Sequence, residues 1–130
     1  MKDGKKSTAS TQVYSALEMV KTKFPGQDPS KVLEQALLQV APRMEVRPRR
    51  VGGASYQVPM EVRGERKMHL AMLWVIEAAR SRSNKEYHTF AEKLAAEVVD
   101  VLNNAGNAVK KRDQVQRMAE ANRAFAHLRW

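Results

Sequence analysis

The stretch Met44-Glu45-Val46-Arg47-Pro48-Arg49-Arg50-Val51-Gly52-Gly53-Ala54-Ser55-Tyr56-Gln57-Val58-Pro59-Met60-Glu61-Val62-Arg63 decides the architecture. Met44, Val46 and Pro48 alternate with Glu45, Arg47 and Arg49. Tyr56, Val58, Met60 and Val62 alternate in the same way with Gln57, Pro59, Glu61 and Arg63, and a period of two is the mark of a strand. Gly52-Gly53 between the runs accepts positive φ at little steric cost, as a tight hairpin connection requires. In a symmetric register about the bond between Gly53 and Ala54, Pro48 and Pro59 lie opposite one another. Neither can donate to a ladder, so the pair does not sit inside a larger sheet. No other segment alternates like this. A lone two-stranded ribbon is marginal in water, so it must be braced at its base and is free to project at its tip.

Outward from the ribbon the period lengthens to that of a helix. From Ser7 to Phe24, Val13, Leu17, Val20 and Phe24 share one face, and Pro25-Gly26 ends the run. Asp28 is placed as an N-cap with Pro29 at the first helical position, and Val32, Leu33, Ala36, Leu37 and Val40 form the buried stripe before Pro42. After the ribbon, Gly64 to about Arg82 carries Met68, Met72, Val75 and Ala79 on one face, widened by Leu73 and Ile76, as a central core helix would. Past the polar break at Ser83-Asn84-Lys85, Phe90, Leu94, Val98, Val101 and Leu102 mark a further helix, with Gly106 as its expected left-handed cap. A last helix from about Lys111 turns Met118, Ala121, Phe125 and Leu128 inward. The expected fold is mainly α: a helical bundle of about five helices with a protruding two-stranded β-ribbon at about 44–63, in one domain spanning 1–130.

The chain has 130 residues, 43% hydrophobic and 28% charged, which is ordinary globular usage and leaves room for one core. The absence of cysteine excludes disulfides, thiol nucleophiles and cysteine-based metal sites, and fits a reducing compartment. No apolar run is long enough for a membrane span, and the first residues lack the apolar stretch of a secretory signal; the expectation is a soluble intracellular protein without membrane partners. The charge is the strongest fact, at net +9 with 23 Lys and Arg against 14 Asp and Glu. Its excess falls in three segments, 1–6 at +2, 43–67 at +4 and 110–130 at +4, with near-neutral sequence between. Clustered excess of this kind marks a phosphate-binding surface rather than solubility alone.

Several motifs lead nowhere. Gly4-Lys5-Lys6-Ser7-Thr8 lacks the earlier glycine and the strand of a phosphate loop. His69, His88 and His127 have no partner at a ligand spacing, and the pairs Glu61 with Glu65 and Glu92 with Glu97 read as exposed-face charges. No cofactor, metal site or catalytic group is expected. The ribbon is different: Arg47, Arg49, Arg50 and Arg63 crowd a narrow element, and clustered guanidinium suits forked contact with phosphate better than it suits edge protection. Lys110, Lys111 and Arg112 stand where the last helix is expected to begin, against the usual preference for acids there. A phosphate on the free N–H groups of that helix start would turn the conflict into binding, although Asp113 offsets part of it. With few aromatics, base stacking by rows of rings is not the mode; Trp74 and Phe125 read as core, and Trp130 is left open. The competing class is a DNA-bending architectural protein, which would need an apolar wedge where Gly52-Gly53-Ala54-Ser55 offers none.

Three groups of residues carry a family resemblance: Arg49 through Pro59, Val109-Lys110-Lys111-Arg112, and Arg117 through Trp130. With Gly4-Lys5-Lys6-Ser7-Thr8 they make nearly the whole chain resemble the bacterial and organellar small-subunit ribosomal protein seven family. The resemblance implies a helical body with a protruding ribbon, bound to the 3′ major (head) domain of small-subunit rRNA, where it nucleates head assembly in a cytoplasmic or organellar ribosome. It places the ribbon near exit-site tRNA and the mRNA exit path, among neighbouring ribosomal proteins. The rRNA-binding set is then Lys5, Lys6, Arg47, Arg49, Arg50, Arg63, Arg66, Lys110, Lys111, Arg112 and Arg117. Gly52, Gly53, Ser55 and Tyr56 fall at the ribbon tip for tRNA or a partner. Members of the family usually begin with a basic arm and one more helix before the Asp-Gly-Lys-Lys segment; this sequence starts at Met1-Lys2-Asp3-Gly4, which is expected either from a start placed late or from loss of the arm.

Overall fold

The computed structural model describes residues 4–128, with side chains through Phe125; the expectations for Leu128, His127 and Trp130 fall on side chains outside the described residues. Five α-helices and one ribbon follow in the order α1 (Lys6–Lys23), α2 (Pro29–Val40), β1 (Met44–Val51), β2 (Ala54–Glu61), α3 (Glu65–Arg80), α4 (Phe90–Leu102) and α5 (Asn107–Ala121). A 3-10 helix, Arg123–Leu128, closes the described chain.

The start of α2 forms as its sequence dictates: the Asp28 carboxylate accepts from the Ser30 N–H at 3.0 Å, with Pro29 in the first turn. Val32, Ala36 and Val40 then face the core, with Leu33 and Leu37 half-buried beside them. The expected α1 stripe holds at Val20, with Phe24 packed against the core, and is turned at its start. Ala16 and Val20 are buried while Val13 is exposed, because Gln12 occupies the inward position one turn before Ala16 and accepts from the Ala91 N–H at the start of α4. In α3 the expected Val75 and Ala79 lie inside, but Met72 and the widening residues do not. Leu70, Ala71, Trp74, Val75, Ala78 and Ala79 are buried, and Met72, Leu73 and Ile76 are exposed. A helix apolar over much of its circumference does not declare its inner face by period, and the side rich in alanine wins because α2, α4 and α5 all pack there. Trp74 lies in the core as expected.

The two helix ends around residues 102–107 are arranged differently from the expected glycine cap. Asn104, not Gly106, takes the left-handed conformation (φ +57°) after α4. The Asn104 N–H donates to Val101 O and the Ala105 N–H to Asp100 O, both at 2.8 Å, the paired bonds of a Schellman stop. Gly106 (φ +92°) is instead the N-cap of α5, which begins at Asn107, four residues before the expected start. At its other end Met118 and Ala121 are exposed rather than inward, and Ala119 is buried.

In the ribbon Val51 faces Ala54 across a two-residue turn, Gly52 (φ +58°) and Gly53 (φ +84°). The turn centre is thus one residue earlier than the symmetric register assumed, so Pro48 faces Gln57 and Pro59 faces Val46. The Val62 N–H extends the ladder to Arg43 O at 2.9 Å. Val58, Pro59 and Val62 are buried at the base, and residues 51–55 at the tip are exposed. Among the described residues this is the only sheet.

Candidate nucleic-acid interface

Cross-strand partners point to the same face, and here the two strands are out of phase. Arg49 faces Tyr56, Arg47 faces Val58 and Glu45 faces Met60, so the charged side of β1 shares a face with the apolar side of β2. Arg49 is half-buried, with Nη2 donating to Met60 Sδ at 4.0 Å. Tyr56 is not at the free tip: its ring meets that of Phe125, with centroids 5.2 Å apart. Phe125 therefore braces the ribbon from the 3-10 helix and does not enter the helical core as a residue of α5.

The ribbon base is pinned through Glu45, which is only 8% exposed. Arg66 at the start of α3 grips both oxygens of this carboxylate, Nε to Oε1 at 2.7 Å and Nη2 to Oε2 at 2.8 Å, while Arg47 Nε reaches Oε1 at 3.2 Å. The hydrogen bonds from Arg66 draw the Glu45 pKa below the usual carboxylate range; burial opposes them and loses. The same bonds raise the Arg66 pKa. Because the folded-state pKa of Glu45 is depressed, its contribution to stability is present above the unfolded-state value and is lost as pH falls through the folded one. Amide exchange in the ribbon, taken relative to its intrinsic rate at each pH, should therefore accelerate on acidification through the carboxylate range, ahead of exchange in α3 and α4. In Glu45→Gln it should be fast already at neutral pH, and a ribbon equally protected in both proteins would refute the pin.

At the start of α5 the expected phosphate position holds an anion of the chain itself. Glu97, expected on an exposed face, is 1% exposed. Its Oε1 accepts from the Ala108 N–H at 3.1 Å, and its Oε2 accepts from Arg82 Nη2 at 2.7 Å and Nε at 3.1 Å. Arg82 also pairs with Asp100 and lies 5.5 Å from the ring centre of Tyr87. Burial alone would lower the Arg82 pKa; the hydrogen bonds to Asp100 and Glu97 more than reverse this and hold it raised. Glu97 thus answers the helix dipole from inside and takes the Ala108 N–H that the expected external phosphate would have used.

The cations are sorted accordingly. Arg66 and Arg47 are tied to Glu45, Arg63 pairs with Glu61 at 3.0 Å on the surface, and Arg112 pairs with Asp113 at 2.9 Å. Arg112 also donates to Gln39 O at the end of α2 and is 16% exposed, so it works as a strut between helices. Lys5, Lys6, Arg50, Lys110, Lys111 and Arg117 are exposed and have no carboxylate within ion-pair distance among the described residues. Arg43 and Arg123 share that state and were not singled out by sequence, although both lie in the basic segments. The second and third segments meet, since α5 packs on β1 and the 3-10 helix packs on β2. The described residues of the first, 4–6, do not join them. Lys5 lies beside Ile76 and Arg80 near the far end of α3, about 20 Å along that helix from Arg66.

Residues 1–123 match the family described as ribosomal protein S7p/S5e. The chain belongs to that family. All 130 residues align with the small ribosomal subunit protein uS7 of Caldanaerobacter subterraneus at 55% identity and of Xanthobacter autotrophicus at 58%, covering 81% of each relative. The corresponding protein of Caldicellulosiruptor saccharolyticus is 56% identical over the same span. The family is structural and not enzymatic, in line with the reading of the sequence. Among the described residues no helix is long and apolar enough to cross a membrane.

Proposed function

We propose that this chain is a structural constituent of the small ribosomal subunit, a single domain that binds the 3′ major domain of its rRNA and nucleates assembly of the head. The observation that carries the reading is the meeting of segments 43–67 and 110–123 at the ribbon base, with uncommitted cations on both. Arg66, Arg47 and Arg112 hold this surface rigid through Glu45, Gln39 and Asp113. Arg43, Arg50, Lys110, Lys111, Arg117 and Arg123 then displace counterions from RNA phosphates. If about five phosphates are engaged, log affinity should fall against log salt with a slope of roughly −4 to −5. A filter-binding titration of a head-domain rRNA fragment checks this, and a slope near zero would refute it. Equal affinity for a DNA duplex of the same length would favour the DNA-bending class instead.

The tip serves a different partner. Gly52, Gly53 and Ser55 are exposed and present small side chains, which suits close approach to exit-site tRNA and the mRNA path, or to a neighbouring ribosomal protein. Deleting residues 50–55 and closing the turn with Asn-Gly, which keeps Arg49 opposite Tyr56, should cost rRNA binding no more than the one cation lost with Arg50, roughly 1 kcal/mol, and alter tRNA release or frame maintenance. Unchanged tRNA occupancy and frame fidelity would reduce the ribbon to an rRNA clamp. Tyr56 enters this reading as the brace behind the tip, through Phe125.

A further inference from the structure

Where α2 ends, the ribbon begins and α5 runs past, the surface sinks into an open groove of about 720 Å³, within the range of small-molecule sites. Leu38 and Met44 give it apolar walls, Arg43 and Arg123 give it positive charge, and Gln116 and Glu120 stand on α5 four residues apart, on one side of the helix. Neither arginine has a carboxylate within ion-pair distance among the described residues, and Glu120 pairs with no described cation. Leu38 is 60% exposed at the rim. The backbone N–H of Arg43 donates to Gln116 Oε1 at 3.1 Å. A donor there requires the amide oxygen, so the Gln116 amide is oriented and its Nε2 remains a donor for something else.

These groups match one kind of ligand. We propose that the groove receives a single unstacked guanine nucleotide from RNA. The guanidiniums of Arg43 and Arg123 take its phosphates, and Leu38 and Met44 line the faces of the base. The Glu120 carboxylate accepts from the two donors on the guanine edge, and Gln116 Nε2 donates to its O6. Splayed-out bases read on their hydrogen-bonding edges are the usual route to sequence in RNA, whose paired grooves are hard to read. A uracil or adenine would leave the carboxylate facing an acceptor or with one donor fewer. The inference rests on the rRNA-binding reading and sharpens it to one nucleotide.

The test uses the full chain and three hairpin RNAs that differ only in carrying no bulge, one bulged guanosine or one bulged uridine. The guanosine bulge should bind about tenfold tighter than either of the others. Leu38→Trp, which fills the groove from an exposed position and leaves the core alone, should bring the guanosine bulge within about twofold of the unbulged hairpin. Glu120→Gln should remove the advantage of guanosine over uridine. Equal binding of the three RNAs by the unaltered chain overturns the proposal, and so does a guanosine preference that survives Leu38→Trp. Binding of head-domain rRNA by the same preparation, measured in parallel, separates the readings: if it is retained while the hairpins are not distinguished, the groove assignment alone falls. If it is absent, the rRNA-binding function falls and the groove assignment with it.

Discussion

Glu97→Ala is expected to lower the free energy of unfolding by about 3 kcal/mol or more, the usual result of removing one partner from a buried ion pair. The side chain is 1% exposed and satisfies three donors at once: two nitrogens of Arg82 and the N–H of Ala108. Its loss leaves the Arg82 guanidinium with Asp100 and the face of Tyr87, and reopens an unsatisfied N–H at the start of α5. Urea denaturation gives the magnitude. Arg82→Met in the same chain should recover part of the loss, because the second substitution removes the charge the first one stranded. A cost below about 1 kcal/mol for Glu97→Ala would mean that solvent reaches this carboxylate and that the network is not a keystone. RNA affinity should fall only in proportion to the unfolded fraction, since neither residue reaches the cationic surface.

Gly106→Ala should cost about 2 to 4 kcal/mol, for two reasons that act together. The backbone there has φ +92°, a region L side chains rarely adopt, and a Cβ would stand 2.8 Å from Glu97 Oε1 and 3.3 Å from Asp100 Cβ. The substitution therefore strains the chain and pushes the buried carboxylate off Ala108 and Arg82. Combined with Glu97→Ala it should cost less than the two singles together, because the shortened side chain no longer meets the new methyl. Asn104→Gly, two residues earlier, serves as the control. Its φ of +57° is also left-handed, and glycine accepts that conformation, so stability should change by under about 1 kcal/mol. If Gly106→Ala is as mild as the control, the close approach to Glu97 is not enforced.

The ribbon was legible because alternation over 44–51 and 54–61 around a glycine pair has few other solutions, and it needs no information from the rest of the chain. The Asp28 and Pro29 start of α2 was legible for the same reason, being settled within four residues. Where the reading slipped, a distant partner was deciding. The inner face of α3 depended on which of two apolar sides α2, α4 and α5 would cover. The inner face of α1 depended on Gln12 finding the Ala91 N–H, 79 positions away. Glu97 looked like any surface glutamate, since nothing near it in sequence announces that Arg82 and Ala108 will enclose it.

The candidate site divides along the same line. Position in the sequence was enough to show that positive charge collects in three segments, because net charge is a sum that folding does not alter. Local spacing was enough to place Arg47, Arg49 and Arg50 on a ribbon, while Arg63, expected at its base, falls two residues past the end of β2. Tertiary structure decided which cations are available. It spent Arg66 and Arg47 on Glu45 and Arg112 on Gln39 and Asp113, left Arg43 and Arg123 uncommitted in a groove, and separated Lys5 from the rest by most of the length of α3. The physical reason is that availability is a property of pairs. A guanidinium is free or engaged according to what lies within about 4 Å of it, and for a residue such as Arg66 that neighbour sits 21 positions away along the chain.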